Sequence, residues 1–452
     1  MSLSWLQRLW IRTHQRLLQG LALVLPFPRS KLLVGAGSSR QLAAELRRRG
    51  WRRPLLVSDR TLMQLALPRP LQDALAAAGM PCVLYDQVPE NPCLSSVEAG
   101  LQHFQSQGCD SLIAIGGGSV IDCAKGIAAR AGNPWLPLRR MEGLFRVLLP
   151  PPPLACVPTT AGSGSEASIG AVFIDPAANR KLAIADLKLL PRVVAIDPVL
   201  MRGLPPAVTA AAGMDALTHA VESYIGRSGT AFSRRKAVAA LRRIAVWLPH
   251  AYHHGDDLEA RLQMALAAHE AGQAFTRTNV GYAHAIAHGL GCRYGIPHGL
   301  ANAMALPAVL RWSAPACAER LASLARALEL GDTSESAPVL AKRFIAWIEV
   351  LKRQLGIPTT VASLRSGDIP ALSRGVLREA HPGYPVPRLL IRRAAKPCCG
   401  ACCLEPPSST PQRISTDGTS HRLQATPAAD SPHRRGAVLP LLGPFHPALA
   451  ER

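Results

Sequence analysis

Three histidines lie close together in the stretch GYAHAIAHGLGCRYGIPHG, which runs from Gly281 to Gly299. The whole chain has only 14 histidines in 452 residues. His284 and His288 are four residues apart, which places both imidazoles on one face of an α-helix, and the Gly and Pro residues that follow predict that this helix ends before His298. The pattern allows three imidazoles to converge on one point. The alternative is two helix-surface histidines followed by a turn histidine.

A second pair of ligand residues lies in AAGMDALTHAVESYI, where Asp215 and His219 are again four residues apart. A solvated helix face is one interpretation, but the segment is otherwise apolar, and a buried carboxylate beside a buried imidazole is costly unless something compensates both. A divalent cation would compensate them. Asp215, His219 and two histidines of the stretch above form a set of one carboxylate and three imidazoles, which suits Fe²⁺ or Zn²⁺.

Two loops rich in small residues have the pattern of a nucleotide site. The first follows the apolar run of LIAIGGGSVIDCAKGIA, precedes a helical pattern, and contains Gly116, Gly117, Gly118 and Ser119. The second, VPTTAGSGSEAS, contains the hydroxyl residues Thr159, Thr160 and Ser163. Backbone amides at a helix N-terminus bind phosphate, although the triplet alone could be a tight turn. Two such loops at the ends of parallel strands favour a dinucleotide.

The segment LLVSDRTL ends a predicted strand at Asp59. An acidic side chain in that place accepts hydrogen bonds from the ribose hydroxyls of adenosine and repels a 2′-phosphate. The sequence therefore favours NAD over NADP.

The order of apolar runs predicts an α/β domain followed by an all-helical one. Short, often β-branched runs such as RPLLVSD, PCVLYD, SLIAIGGG, LACVPTT, AVFID and VVAIDP alternate with helical patterns, which indicates a parallel sheet covered on both faces. Strand signals stop after DPVLMRGLPP. We predict an α/β nucleotide-binding domain at 30–203 and an all-helical metal-binding domain at 204–381.

The two ends of the chain differ in composition from the middle. Residues 1–29 mix Trp, Leu and Arg at roughly helical spacing, and we predict a packing arm, with an interfacial helix or a poor signal peptide as alternatives. Residues 382–452 are rich in Pro, Ser, Thr and Arg without a sustained period, which predicts a disordered tail. That tail holds a Cys-x-x-Cys, Cys399 and Cys402, without the second cysteine pair of a structural zinc site.

Composition excludes several functional classes. The net charge of +21 comes from 51 basic and 30 acidic residues, but arginine is spread along the chain without interleaved aromatics, so we expect no specific nucleic-acid partner. No apolar run reaches the length of a transmembrane helix. Scattered cysteines indicate reduced thiols, and we expect a cytoplasmic homo-oligomer, with a homodimer as the first candidate.

Taken together, these motifs resemble the iron-dependent, group III alcohol dehydrogenases of the dehydroquinate synthase-like superfamily. The resemblance covers roughly residues 30–380 and rests on GGGS-x-x-D-x-A-K, P-T-T-x-G-[ST], G-x-D-A-L-x-H-A-x-E and H-x-x-x-H-x-L-G-x-x-x-x-x-P-H-G, which occur in the family's order. It implies metal ligands at Asp215, His219, His284 and His298. Helical spacing alone would have paired His284 with His288, which the resemblance instead places beside the nicotinamide as a proton-relay group.

The same resemblance implies roles for the nucleotide loops and the pocket. Its pyrophosphate loop corresponds to Gly117, Gly118, Ser119 and Asp122. Its second nucleotide loop corresponds to Thr159 and Thr160. Lys181 falls on a ribose contact and Phe275 on the wall of the substrate pocket.

The resemblance implies an NAD-dependent enzyme that transfers hydride between a primary or small alcohol and its aldehyde, with Fe²⁺, or Zn²⁺, as the metal. The chain departs from the family after Pro382, where a helical segment with an Asp-x-x-x-Asn-Pro-Arg-like stretch is expected. Two alternatives stay open: a glycerol dehydrogenase-like or dehydroquinate synthase-like reaction on the same scaffold, and a catalytically silent nucleotide-binding protein that lacks the normal C-terminus.

Overall fold

A computed structural model of the chain describes residues 4–178, 180–332, 334–400 and 402. These residues belong to one compact unit that spans Met1–Cys403. Within the described residues the strands lie between residues 31 and 196, and a series of helices follows from Pro206 onward. The elements therefore change character where the sequence predicted a domain boundary at 203/204, but the boundary itself stays a prediction.

A six-stranded parallel sheet forms the first half of the fold. Its strands are β1 (Lys31–Val34), β2 (Pro54–Val57), β3 (Val83–Tyr85), β4 (Ser111–Gly116), β6 (Leu154–Pro158) and β9 (Val193–Ile196). They pair in the order β1-β9-β6-β4-β2-β3. Every residue of β2, β4, β6 and β9 is buried, because helices cover both faces and leave no solvent side for polar residues.

The strand order reverses at β2, which has β3 on one side and β4 on the other. In open parallel sheets, ligands bind outside the carboxyl ends of the strands at such a switch point. The carboxyl ends of β2, β4 and β6 are neighbours there, and they lead directly into Asp59, Gly117 and Thr159. The fold thus brings together the three segments from which the sequence predicted a nucleotide site.

A second, three-stranded sheet differs from the prediction. It consists of β5 (Gly143–Leu144), β7 (Gly170–Asp175) and β8 (Arg180–Ala185), and β7 and β8 pair antiparallel. The run AVFID belongs to β7 and not to the parallel sheet. Its residues alternate between buried and half-buried, as expected for a strand with one covered face, whereas the parallel strands are buried throughout.

Helices pack on the two faces of the large sheet. They are α2 (Ser38–Arg48), α4 (Arg69–Ala77), α5 (Leu94–Ser106) and α6 (Gly118–Gly132). The short helix α3 (Arg60–Gln64) follows β2 and has no buried residue. Leu42 and Leu46 of α2 join the core on one face, and Val97 of α5 and Ile127 of α6 join the core on the other. Burial on both faces fixes the loops at the strand ends.

The second half of the chain is helical. Its helices are α7 (Pro206–Ile225), α8 (Ala231–His253), α9 (Leu258–Thr278), α10 (Tyr282–Tyr294), α11 (His298–Ala327), α12 (Ala337–Gln354) and α13 (Ile369–Ala380). The α11 helix is kinked at Cys317, two residues after Pro315. Many of the buried residues between these helices are alanines, so the helix backbones approach one another closely. The prediction of an all-helical second region is confirmed within the described residues.

The N-terminal arm forms α1 (Trp5–Val24) and packs against the chain that follows α13. Arg12 donates hydrogen bonds to the carbonyls of Val386 and Pro387, at 2.7 and 3.0 Å. Gln15 Nε2 donates to the carbonyl of Tyr384, at 2.6 Å. These contacts agree with the interpretation of residues 1–29 as a packing arm.

The expectation of a disordered tail from Pro382 is wrong for residues 382–400. Val386 and Leu390 are buried in the helical core, and a further helix, α14 (Arg392–Gly400), follows them. Cys399 is also buried there, and burial raises its pKa to about 12, so it is a thiol that packs in the core. Residues 403–452 lie outside the described residues, and disorder there stays a prediction.

Among the residues that the structure describes, no helix combines the length and the apolar character needed to cross a bilayer.

Candidate functional site

Three helices bring the predicted metal ligands together. Asp215 and His219 lie one turn apart on α7, His284 lies on α10, and His298 is the first residue of α11. Ligand atoms of Asp215, His284 and His298 lie within 4.8 Å of one another. Within the described residues, this is the one group of three His, Cys, Asp or Glu side chains with metal-site spacing.

The turn between α10 and α11 explains why His298, and not His288, joins His284. Gly295 ends α10 in the left-handed conformation, with a φ of 66°, which a residue with a Cβ adopts at a cost. At Gly299, a Cβ would lie 2.1 Å from the carbonyl oxygen of Ala211. Glycine therefore lets the start of α11 lie directly against α7, and His298 faces Asp215.

Asp215 is at the centre of the cluster. Its Oδ1 lies 3.6 Å from His298 Nε2 and 3.9 Å from His284 Nε2. Its Oδ2 lies 3.9 Å from His219 Nδ1. The His219 ring stacks beside the His284 ring with centroids 4.4 Å apart, although its nitrogens fall outside the group of three. The structure thus places all four residues side by side.

The chemistry of these groups fits a divalent cation. His219 Nδ1, His284 Nε2 and His298 Nδ1 are buried and make no hydrogen bond within the described part of the chain. Burial lowers the pKa of His219 and of His298 well below the usual value, which keeps the imidazoles neutral, as metal binding requires. Burial raises the pKa of Asp215, a cost that a bound cation would offset.

Two residues that the sequence analysis did not assign hold the ligands in place. Glu222 accepts a hydrogen bond from His284 Nδ1 at 2.7 Å, and also from the backbone amides of Gly281 and Ala283. Asn302 donates to Asp215 Oδ1 at 2.7 Å. The bond to Glu222 fixes the His284 tautomer with its Nε2 lone pair toward the cluster. Glu222 lies seven residues after Asp215, a helical spacing that could have revealed it.

His288 lies beside the cluster and has a carboxylate partner. Its ring stacks on the His298 ring with centroids 5.1 Å apart. Its Nδ1 donates to Glu379 Oε1 at 2.6 Å, and the Tyr384 hydroxyl donates to the same oxygen at 2.8 Å. Burial lowers the pKa of His288, while the Glu379 carboxylate opposes that shift. No local pattern links Glu379 to His288, because 91 residues separate them.

The glycine loop and the threonine loop meet at the carboxyl ends of β4 and β6. The amide of Thr159 donates to the carbonyl of Gly116 at 3.1 Å. Gly117 precedes α6 and Gly118 begins it, so the first amides of that helix point outward from the loop. Thr159 is buried, whereas Thr160 is half-buried. The backbone geometry is that of an anion-binding helix N-terminus.

Two polar side chains of this loop region already have partners in the chain. The Ser119 hydroxyl donates to the carbonyl of Glu90. Asp122 Oδ1 accepts from the Ser165 hydroxyl at 2.6 Å, and its Oδ2 accepts from the amide of Val172 at 2.9 Å. Asp122 therefore connects α6 to β7 and to the loop after β6. A nucleotide contact for Asp122 and Ser119 stays a prediction.

Asp59 lies at the carboxyl end of β2 and caps α3. Its Oδ1 accepts from the amide of Leu62 at 2.9 Å. The side chain is half-buried, and no hydrogen bond to its Oδ2 is found in the described part of the chain. One oxygen is thus used by the cap and the other remains for a ligand.

Lys181 and Phe275 lie at the border between the two predicted sites. Burial lowers the pKa of Lys181, and the carboxylates of Glu379, Asp122 and Asp215 oppose that shift. The ammonium is therefore within electrostatic reach of both the metal cluster and the nucleotide loop. Phe275 stacks on the His219 ring with centroids 4.3 Å apart and an interplanar angle of 22°.

Two family models match most of the chain. Iron-containing alcohol dehydrogenase matches residues 28–198, and the C-terminal domain of the Fe-containing alcohol dehydrogenase family matches residues 209–389. The second match passes Pro382, so the departure from the family begins later than the sequence analysis placed it. Residues 1–27 precede the first match.

Curated relatives and solved structures agree with these matches. The chain is 37% identical to lactaldehyde reductase of Escherichia coli (strain K12) over 352 residues, which cover 77% of this chain and 92% of the relative. It is 38% identical to 1,3-propanediol dehydrogenase of Klebsiella pneumoniae over 337 residues, covering 74% and 87%. A 1,3-propanediol oxidoreductase structure aligns with a TM-score of 0.79 at 34% identity, covering 83% of this chain and 100% of that chain. An alcohol dehydrogenase from Oenococcus oeni aligns with a TM-score of 0.80 at 29% identity, covering 82% and 98%. The chain belongs to the iron-containing alcohol dehydrogenase family.

Proposed function

We propose that the protein is a metal-dependent oxidoreductase that transfers hydride between a primary or small alcohol, or its aldehyde, and NAD. The observation that carries this proposal is the group formed by Asp215, His284 and His298, in which buried imidazole nitrogens make no hydrogen bond in the described residues. Family membership and the printed activities of the relatives support the reaction class.

The ligands are Asp215, His219, His284 and His298, and the metal is Fe²⁺, with Zn²⁺ as the second candidate. A divalent cation held by these residues would act as a Lewis acid toward the substrate oxygen. Glu222 and Asn302 do the positioning: the Glu222 bond to His284 Nδ1 and the Asn302 bond to Asp215 Oδ1 limit the rotation of both ligands. The positions of the metal-binding side chains are therefore fixed before the metal binds.

His288 receives the proton that the alcohol hydroxyl loses. Its Nδ1–H is bonded to Glu379, which leaves Nε2 as the proton acceptor. When Nε2 takes the proton, the ring becomes an imidazolium, and the Glu379 carboxylate stabilises that charge at 2.6 Å. Tyr384 donates to the same carboxylate oxygen and restricts its movement. This pairing suits a group that carries a proton between the site and solvent.

NAD binds at the carboxyl ends of β2, β4 and β6. The amides around Gly117 and Gly118 bind the pyrophosphate, and Thr159 and Thr160 line the second loop. Asp59 accepts from the adenosine ribose and disfavours NADP. On the nicotinamide side, Lys181 contacts the ribose and Phe275 forms a wall of the substrate pocket, next to His219.

We further propose a cytoplasmic homodimer. β1 is an edge strand of the parallel sheet, and its Leu32 and Val34 side chains are exposed. An exposed apolar edge strand favours pairing with a second chain. The cysteines between Cys82 and Cys399 in the described chain are free thiols, which agrees with a reducing compartment. Sedimentation analysis at several concentrations tests the dimer, and a monomer at all of them would contradict it.

The function is tested with the full chain, loaded with Fe²⁺ or Zn²⁺. NADH formation is followed with ethanol, 1-propanol and 1,3-propanediol, and the reverse reaction with the matching aldehydes. We expect turnover that disappears after chelation and returns with the added metal. Binding of NAD and metal without any turnover would instead support the silent nucleotide-binding alternative.

A further inference from the structure

A cavity of about 160 Å³ lies between the N-terminal arm, the second sheet and the end of α9. Much of its wall is hydrocarbon. The large apolar side chains that line it are Leu18, Leu25, Phe27, Leu144, Phe145, Ile169 and Phe275. Three of these belong to the arm, which precedes the residues that the family model matches.

The cavity adjoins the metal cluster through Phe275. One contact of that ring is the stack on His219, at 4.3 Å between centroids, and the ring also forms part of the cavity wall. Phe275 is therefore shared by the cavity lining and by the surroundings of the predicted metal ligand His219.

Three polar side chains at the cavity are hydrogen-bonded within the chain. Gln15 Nε2 donates to the carbonyl of Tyr384, and the Ser228 hydroxyl donates to the carbonyl of Thr278. Thr276 Oγ1 accepts from the amide of Ile169. A hydrocarbon tail in the cavity would leave these three bonds in place.

The arm is fixed at two places, so its side of the cavity is a defined wall. Arg12 bonds the carbonyls of Val386 and Pro387. At the other end of the arm, the Arg277 guanidinium lies 4.2 Å from the centre of the Phe27 ring. Leu18 lies between these two attachments along the chain and lines the cavity.

We infer that the N-terminal arm converts this cavity into a binding site for the hydrocarbon tail of a medium-chain alcohol or aldehyde of about six carbons. This inference rests on the proposed function and deepens it. An apolar cavity of about 150 Å³ accommodates benzene, which sets the size of the tail. Burying one methylene contributes a transfer free energy of ~0.8 kcal/mol. Each additional methylene should therefore raise kcat/KM about fourfold until the cavity is full.

The experiment uses the full, metal-loaded chain and compares ethanol, 1-butanol, 1-hexanol and 1,3-propanediol as substrates. We expect kcat/KM to rise on the order of 10²-fold from ethanol to 1-hexanol, since four methylenes are added. The test variant is Leu18→Trp, which fills the cavity. The control is Leu17→Trp on the same helix, because Leu17 is 69% exposed on the outer side of the arm.

Leu18→Trp should remove most of the preference for 1-hexanol and leave kcat/KM for ethanol within about threefold of the unmodified protein. Leu17→Trp should change kcat/KM for neither alcohol. A flat chain-length profile in the unmodified protein, or equal effects of the two variants, would overturn the inference. Thermal unfolding with 1-hexanol gives a readout that is independent of turnover. Suppose that 1-hexanol stabilises the unmodified chain but not Leu18→Trp, and that the chain oxidises no alcohol. That result would support the cavity as a binding site and reject the proposed function.

Discussion

The nucleotide loops and the metal cluster are built in opposite ways. At the nucleotide loops, polar side chains bond to the chain itself: Ser119 to Glu90, Asp122 to Ser165 and Val172. At the metal cluster, His284 Nε2 is buried without a hydrogen bond in the described residues. At the nucleotide loops, these side chains are already hydrogen-bonded, and the backbone amides remain to bind a ligand. At the metal cluster, imidazole lone pairs remain that need a partner.

The metal cluster depends more on its ligand than the nucleotide loops do. A buried polar atom without a hydrogen bond costs about 1–3 kcal/mol, and His219, His284 and His298 each have one such imidazole nitrogen among the described residues. Metal removal should therefore destabilise the helical half. Removal of NAD should have a smaller effect, because the loops are held by β4, β6 and α6.

Asp215→Asn and His284→Ala should cause the largest loss of metal binding and activity. Each removes a ligand from the cluster, so we expect loss of bound metal and at least roughly 10³-fold lower turnover, with NAD affinity almost unchanged. Metal content by elemental analysis and NAD binding by calorimetry are the measurements. Asp256→Asn is the control, since that carboxylate is 84% exposed. Full metal occupancy in either ligand variant would refute the assignment.

His288→Ala should lower the rate without loss of metal. A proton-transfer group is worth on the order of 10²–10⁴-fold, and His288 lies outside the group of three ligands. The measurements are kcat and metal content, and His253→Ala, on the exposed end of α8, is the control. If His288→Ala lost its metal while a His298→Ala variant kept it, His288 and not His298 would be the metal ligand, as helical spacing alone predicts.

Glu222→Gln should weaken the metal cluster by an intermediate amount. The single amide oxygen of glutamine still accepts from one of the two backbone amides, Gly281 or Ala283, but the charge that polarises His284 is gone. Loss of such a partner costs about 10–100-fold in metal affinity. Competition with a chelator measures this affinity. Unchanged affinity would mean that the bond from His284 Nδ1 serves folding alone.

Asp59→Asn should produce the smallest effect, at the nucleotide loops. Asparagine still accepts from the amide of Leu62 and so keeps the cap of α3, but it no longer repels a 2′-phosphate. We expect the ratio of NADP to NAD affinity to rise about tenfold, the equivalent of ~1.4 kcal/mol. An unchanged ratio would remove Asp59 from the site.

Local patterns predicted the parts of the fold that depend on neighbours in the chain. Apolar runs predicted β2, β4, β6 and β9, and glycine and proline predicted the end of α10 before His298. The segment RKLAIA, which forms β8, was missed because charged residues begin it and its partner β7 has one covered face. The run AVFID was therefore not assigned to the second sheet, because its partner strand β8, which begins at Arg180, was not recognised.

In the candidate site, too, the sequence predicted the features that depend on neighbouring residues and missed those that depend on residues far away in the chain. The Asp215 and His219 pair is visible in one helix, and the loops follow their strands directly. Helical spacing alone favoured His288 over His298, since the close contact between Gly299 and Ala211 joins residues 88 apart in number. Glu379 and Tyr384 were missed for the same reason. Composition likewise predicted disorder after Pro382, where residues 386 and 390 pack into a core supplied by other helices.

The attachment of the arm also constrains when the cavity can form during synthesis. The bond from Arg12 to the carbonyl of Val386 joins residues 374 apart in sequence. At ribosomal rates of about 5–20 residues per second, the arm waits about 20–75 s before its partner backbone exists. During that interval, the apolar inner side of α1, including Ile11 and Leu18, has no native surface to cover it. Early chaperone binding to the nascent N-terminus is the expected cellular consequence.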